Sequence, residues 1–184
     1  MTITKHKFSS QQYHLMAEAG VFDRIREQRL ELIKGEIIQM SPIGRKHCAC
    51  IARLNALLFA KFTGKQIIWV QSSICLDDGS EPQPDLALLK LRSDFYEEAL
   101  PAPEDILLIV EVADSTISYD RDLKMPLYAE SGIPEAWLVD VNARTITRYT
   151  EPSAKGYKSS QRLDINDSIL CLDKEIAATD IFGN

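Results

Sequence analysis

The sequence predicts an α/β domain in which helices flank a mixed central β-sheet. Three observations lead there. Ile106–Ala113 reads ILLIVEVA, apolar on both faces except for one acid, as a central strand covered on both sides requires. Lys46–Phe62 carries Ile51, Leu54, Leu57, Leu58 and Phe62 at helical spacing, with Gly64 as a stop signal. The succession of a helix, three strands, a helix and a strand is that of a mixed sheet with helical cover. A chain of 184 residues fits one domain, 1–184, and is long enough to bury a sizeable core.

The elements follow in order. Ser9 or Ser10 can cap a first helix, Gln11–Ala19, ended by Gly20. Arg29–Met40 holds two short apolar runs about Lys34-Gly35, the pattern of a hairpin. After the long helix come strands at Gln66–Leu76, Asp85–Lys90 and Ile106–Ala113. A second major helix is expected from Asp122 to Ser131, ended by Gly132-Ile133-Pro134, with Pro126 near its first turn, where proline costs least. Ala136–Val141 is a buried strand that pairs through the Asn142–Arg144 turn with Thr145–Thr150, and Tyr157–Leu163 adds another. These C-terminal strands offer edges that a partner could cover.

Composition narrows the class. An apolar fraction of 45% with 26% charged residues describes a globular chain rather than a disordered one. No stretch approaches the roughly 18 apolar residues of a membrane span, and the N-terminus lacks the apolar core of a secretory signal. Cys48, Cys50, Cys75 and Cys171 form no CxxC pair, which suits reduced thiols in the cytoplasm. A net charge of −6 argues against broad electrostatic binding of nucleic acid. Local basic clusters nonetheless occur at Lys5–Lys7, at Arg24, Arg26 and Arg29, and at Arg45–Lys46.

Glu111 is the most informative residue. A carboxylate inside an apolar strand is costly unless paired, protonated or bound to a cation, although a strand end that reaches solvent would also carry one. Asp85 follows Pro84 and opens the apolar run DLALL; alone it reads as turn chemistry. Two acids at the mouths of neighbouring strands supply converging oxygen ligands of the kind Mg²⁺ or Mn²⁺ takes, with room left for water and phosphate. Asp120, Lys124 and Tyr128 recur every fourth residue, so a helix folding back over the strand ends would bring the Lys124 ammonium to the site. The alternative is a surface lysine paired with Asp120. Glu31 lies between Leu30 and Leu32, where it is either a site acid or the solvent face of an alternating strand. His47 shares a helical face with Ile51, Leu54 and Leu58, which suits a hydrogen-bonded core histidine, and its role stays open.

Pro84-Asp85, Glu111-Val112, Ser115-Thr116, and then Asp120, Lys124, Tyr128, Gly132 and Glu135 to Asp140 together resemble a bacterial family of the PD-(D/E)XK nuclease superfamily. That family's second block runs roughly as DxxxKxxxYxxxGxxExWLVD. Glu31-Leu32, Gly35-Glu36, Ser41-Pro42, His47 and the closing Ile176–Phe182 extend the likeness over nearly the whole chain. The resemblance implies a restriction-endonuclease-like core that cleaves phosphodiester bonds, in DNA, with Mg²⁺ or Mn²⁺. It makes Asp85, Glu111 and the Val112 carbonyl the metal ligands, with Glu31 contributing directly or through water. The superfamily's usual lysine position, two residues after the second acid, is Ala113 here; Lys124 resembles that lysine moved to the neighbouring helix. A homodimer would supply the two sites that double-strand cleavage needs. The alternative is a non-catalytic binding or assembly protein that keeps the fold.

Overall fold

The computed structural model describes residues 4–23 and 29–183, so Arg24 and Arg26 of the basic clusters lie outside the described residues. Helix α1 (Ser10–Glu18) starts at a reciprocal cap: the Ser9 hydroxyl accepts from the Gln12 N–H at 3.2 Å, and the Gln12 side chain accepts from the Ser9 N–H at 2.9 Å. The helix buries none of its own residues. It is tied down at Glu81, whose carboxylate accepts from the Ser10 hydroxyl and lies 2.8 Å from His14 Nε2.

Strands β1 (Leu30–Ile33) and β2 (Glu36–Gln39) form the expected hairpin, with Ile33 opposite Glu36. Its two-residue turn needs left-handed backbone at both positions, and Lys34 (φ 49°) and Gly35 (φ 80°) supply it. A side chain at Gly35 would also collide with Lys7, 2.6 Å away. The Glu81 N–H donates to the Leu32 carbonyl at 2.7 Å, giving β1 a neighbour on its other side. All four β1 residues are therefore buried, Glu31 among them, and the strand has no solvent face.

Helix α2 (Arg45–Phe62) leads into β3 (Gln66–Val70), which stops well short of the expected Leu76. Gln71 takes a left-handed conformation (φ 45°) that turns the chain out of the ladder, while Ile74 and Leu76 remain core residues on an irregular segment. Strands β4 (Leu86–Lys90) and β5 (Ile106–Ala113) then enter the middle of a six-stranded sheet. Helix α3 (Ile117–Tyr119), a π-helical turn (Asp120–Lys124) and α4 (Met125–Glu130) run on as one helical crossover to β6 (Glu135–Asp140), which pairs parallel to β5. The crossover begins five residues before the expected Asp122, so Pro126 falls inside it. The wider π turn just before Pro126 accommodates the ring and the missing N–H.

Strands β7 (Thr145–Thr150) and β8 (Ser159–Leu163) complete the sheet in the order β3-β4-β5-β6-β7-β8, antiparallel except for β5–β6. Strand β7 is thus interior, and the edges are β3 and β8. A hairpin of β9 (Ser168–Cys171) and β10 (Lys174–Ala177), followed by α5 (Ala178–Phe182), closes the chain.

The pleat divides the core in two. Leu86, Leu88, Val110 and Val112 pack with Cys50, Leu54 and Leu58 of α2 and with Ile176 and Ile181. Ala87, Leu89, Ile109 and Ala113 face the other way, onto Met125, Leu127 and Tyr128. By alternation Glu111 shares this second face, beneath the crossover. Burial on both sides explains why β5 is apolar throughout except at that residue.

Candidate active site

Leu86 pairs with Val110 and Ala87 with Ile109, so one further step of the register sets Asp85 opposite Glu111. The two acids are linked directly, the Asp85 N–H lying 3.4 Å from Glu111 Oε2. Both line one cavity of about 150 Å³, bounded by β5, the entrance to α2 and the crossover; Val112, His47, Asp120 and Lys124 share its wall.

Asp85 is 5% exposed and held by several donors. His47 Nε2, from the first turn of α2, lies 3.1 Å from Oδ1, and the Gln71 amide donates to the same oxygen at 3.1 Å. The Val112 N–H donates to Oδ2 at 3.0 Å, and Arg29 Nη1 stands 3.6 Å from Oδ1. Burial works to raise this carboxyl, but His47, the Val112 N–H and the Gln71 amide together hold it below the ordinary carboxylate range. His47 responds in the opposite sense: burial opposes its charge, yet Asp85 and the Val112 backbone raise its pKa. The histidine on an apolar helical face is therefore a partner of the site acid.

Glu111 has a different environment. Burial pushes its carboxyl up to about 8, and only the Lys124 ammonium pulls appreciably the other way. Lys124 is 1% exposed and donates to Glu111 Oε1 at 3.0 Å and to Glu31 Oε1 at 2.8 Å, so it is not a surface partner of Asp120. Burial disfavours its charge too, but Glu111, Glu31 and Asp120 outweigh that and keep it protonated. The Tyr128 hydroxyl donates to Glu111 Oε1 at 2.5 Å. Oε1 is saturated by these two donors, whereas Oε2 has only the long Asp85 contact and keeps capacity to accept.

Glu31, fully buried, accepts from the Gln83 N–H at 2.7 Å and lies 3.4 Å from the Tyr119 hydroxyl. It does not line the cavity that Asp85 and Glu111 share; it joins the site through Lys124. The Thr116 hydroxyl donates to Asp120 at 2.7 Å, anchoring the start of the crossover. Arg29, Gln71 and Gln83 were not recognisable as site residues in the sequence. For Gln71 the signal is structural: a non-glycine residue in left-handed backbone beside a buried acid.

Among the described residues, no three His, Cys, Asp or Glu side chains are arranged to hold a metal ion. The donor set still suits a hard divalent cation. An ionised Asp85, an under-bonded Glu111 oxygen and the Val112 main chain border one cavity, and Mg²⁺ is commonly held by one or two carboxylates with the rest of its sphere left to water and substrate. No helix among the described residues is long and apolar enough to cross a membrane, and all four cysteines are free.

A model of the Uma2 family, described as "Putative restriction endonuclease", matches residues 10–174. Among solved structures, the chain resembles the one described as "a putative nuclease belonging to DUF820" from Anabaena variabilis. The TM-score is 0.67 over 85% of this chain and 90% of that one, at 16% identity. At that identity the likeness establishes the shared fold. No curated protein matches the chain.

Proposed function

The chain belongs to the Uma2 family, and on that footing we propose that it is a divalent-metal-dependent endonuclease that hydrolyses phosphodiester bonds in DNA. The observation that carries the reading is the buried Glu31–Lys124–Glu111 bridge beside Asp85. A lysine and two acids taken out of water together are a poor device for stability alone, since well-packed apolar residues commonly do as well. A cavity that adjoins them gives the arrangement a use.

Asp85, Glu111 and the Val112 carbonyl would hold Mg²⁺ or Mn²⁺. When bound, the cation supplies Lewis-acid polarisation of the phosphoryl group and makes a water acidic enough to attack at neutral pH. Lys124 offsets negative charge gathering on the phosphate, replacing the lysine that Ala113 does not provide. Glu31 and Tyr128 act as positioning residues: Glu31 fixes the ammonium, and Tyr128 fixes the Glu111 carboxylate. His47 and Gln71 orient Asp85 and favour its ionised form. A C₂ homodimer would let the enzyme cut both strands, and light scattering at micromolar concentration reports whether one forms.

The test is nicking of supercoiled plasmid with Mg²⁺, with Mn²⁺ and with EDTA, beside an Asp85→Ala control. Nicking that needs the metal and Asp85 supports the reading. Nicking that survives in EDTA removes the metal from it, and no cleavage of any DNA or RNA with either metal leaves a non-catalytic protein of the same fold.

A further inference from the structure

We infer that the groove between α2 and the β6–β7 turn holds the phosphate backbone of a DNA strand flanking the cleaved bond, through Lys46, Arg53 and Arg144. This inference rests on the nuclease reading of the neighbouring cavity. The groove has a volume of about 360 Å³, and these three cations line it together with Cys50, Asn142 and Phe182. All three are exposed. None has an acidic partner among the described residues, in a protein whose net charge is −6. Their polar contacts are to uncharged acceptors: Lys46 Nζ donates to the Asn142 side-chain oxygen at 3.2 Å, and Arg144 donates to the Gly183 carbonyl. Two acids at the rim, Asp114 and Asp140, bond the β6–β7 turn rather than these cations. Asp114 accepts from the Asn142 amide at 2.9 Å, and Asp140 caps the turn by accepting from the Asn142 and Ala143 N–H groups at 3.0 and 2.9 Å.

A second observation points the same way. Helix α2 opens Arg45-Lys46-His47 on a Gly44 cap, with no side-chain capping bond and no acid in its first turn. Cations at the positive end of a helix dipole oppose it by about 0.3–1 kcal/mol each. Free N–H groups and cations at the same end suit an anion. A local rule broken without a visible structural return is a mark of function. Geometry connects this end to the site. Gly44 and His47 line the catalytic cavity, and so does Asp114, the acid bound to Asn142. Lys46 and Arg53 are seven residues apart on one helical face, about 10 Å along the axis. That equals the rise of about three nucleotides, at about 3.4 Å per charge on each strand. A backbone leaving the cavity over the start of α2 therefore meets cations at phosphate spacing.

The test measures binding of a short fluorescein-labelled DNA duplex and a labelled single strand by anisotropy, across a salt series, with Ca²⁺ and with EDTA. The proteins are the wild type, Lys46→Ala/Arg53→Ala/Arg144→Ala, and Lys155→Ala/Lys158→Ala at the opposite end of β7. For a duplex, the groove triple is expected to bind at least about tenfold more weakly, with its salt slope reduced by about 2–3, close to 0.9 for each phosphate left without its cation. The control should match the wild type. With Mg²⁺ the groove triple should raise KM and leave kcat within about twofold. Unchanged binding and an unchanged KM in the triple overturn the inference while cleavage itself stands. Groove-dependent binding by a protein that cleaves nothing with any metal overturns the nuclease reading and leaves the groove in place. Absence of wild-type binding to either DNA form also overturns the inference. So does competition by poly-glutamate as effective as that by DNA, which would assign the groove to an acidic protein.

Discussion

Replacing Lys124 by Met keeps most of the side chain's volume and removes its charge. Glu31 is fully buried and Glu111 is 2% exposed, so both carboxylates then face a low-dielectric interior without their shared cation. Removing one partner from a buried ionic group commonly costs about 3–5 kcal/mol. For a chain of this size each kcal/mol moves the melting point by about 2–4 °C, so the loss is about 6–20 °C. The cost depends on pH because Glu111 can take up a proton. Its carboxyl already stands near 8, raised by burial and opposed chiefly by Lys124, so the substitution raises it further. The penalty is therefore smallest towards pH 5, where a neutral Glu111 no longer needs the ammonium, and grows as pH rises through about 8, where the wild-type carboxylate ionises beside Lys124. Calorimetry of wild type and variant in EDTA at both pH values measures this. Adding Glu31→Gln and Glu111→Gln should recover much of the loss, because the triple variant removes both acids that the ammonium bridged. A Lys124→Met shift below about 2 °C that is equal at pH 5 and pH 8 would mean that the lysine does not sit between two buried acids in solution.

Glu111 also sets the pH response of the metal-free wild type. Its folded-state pKa is raised, so the stability it contributes is fully present below about 4.5 and is lost as pH rises through about 8. Melting points in EDTA should fall across that window, Glu111→Gln should flatten the fall, and added Mg²⁺ should stabilise more at pH 8 than at pH 6, because the cation favours the ionised carboxylate. Asp85→Asn and Glu111→Gln should each cut plasmid nicking by about 10²-fold or more, and a smaller loss in either would remove that acid from the proposed metal site. Leu54→Ala, at a fully buried position of α2, should cost about 2–5 kcal/mol in urea unfolding; a loss under about 1 kcal/mol would be inconsistent with the packing described. Ser9→Ala should cost about 1 kcal/mol and speed amide exchange in α1 while leaving the sheet's exchange unchanged.

The parts of this protein legible in its sequence are those in which one residue must satisfy one local rule. The β5 run is apolar because both its faces are covered, and Glu111 stood out against it for the same reason. The Lys34-Gly35 turn and the Ser9 cap follow from backbone geometry that few other residues satisfy. The illegible parts depend on two segments meeting. Whether Glu31 faced solvent could not be settled from an alternating strand of four residues, because the answer lies in the pairing of Leu32 with Glu81, far along the chain. The premature end of β3 is set by Gln71 turning towards Asp85, a contact whose only trace is in three dimensions. Helical spacing linked Lys124 to Asp120 and Tyr128, and all three are buried at the site, but the lysine's hydrogen-bond partners come from β1 and β5, which spacing along one helix cannot name. The lysine's displacement from the usual strand position has a structural consequence. A lysine at position 113 would extend from the strand that carries Glu111, whereas Lys124 reaches the same acid from the crossover. The charge at the site is thereby tied to the docking of that helical segment. Unseating the crossover would strand Glu31 and Glu111 as unpaired acids, so the integrity of the site and that of the β5–β6 connection should be lost together.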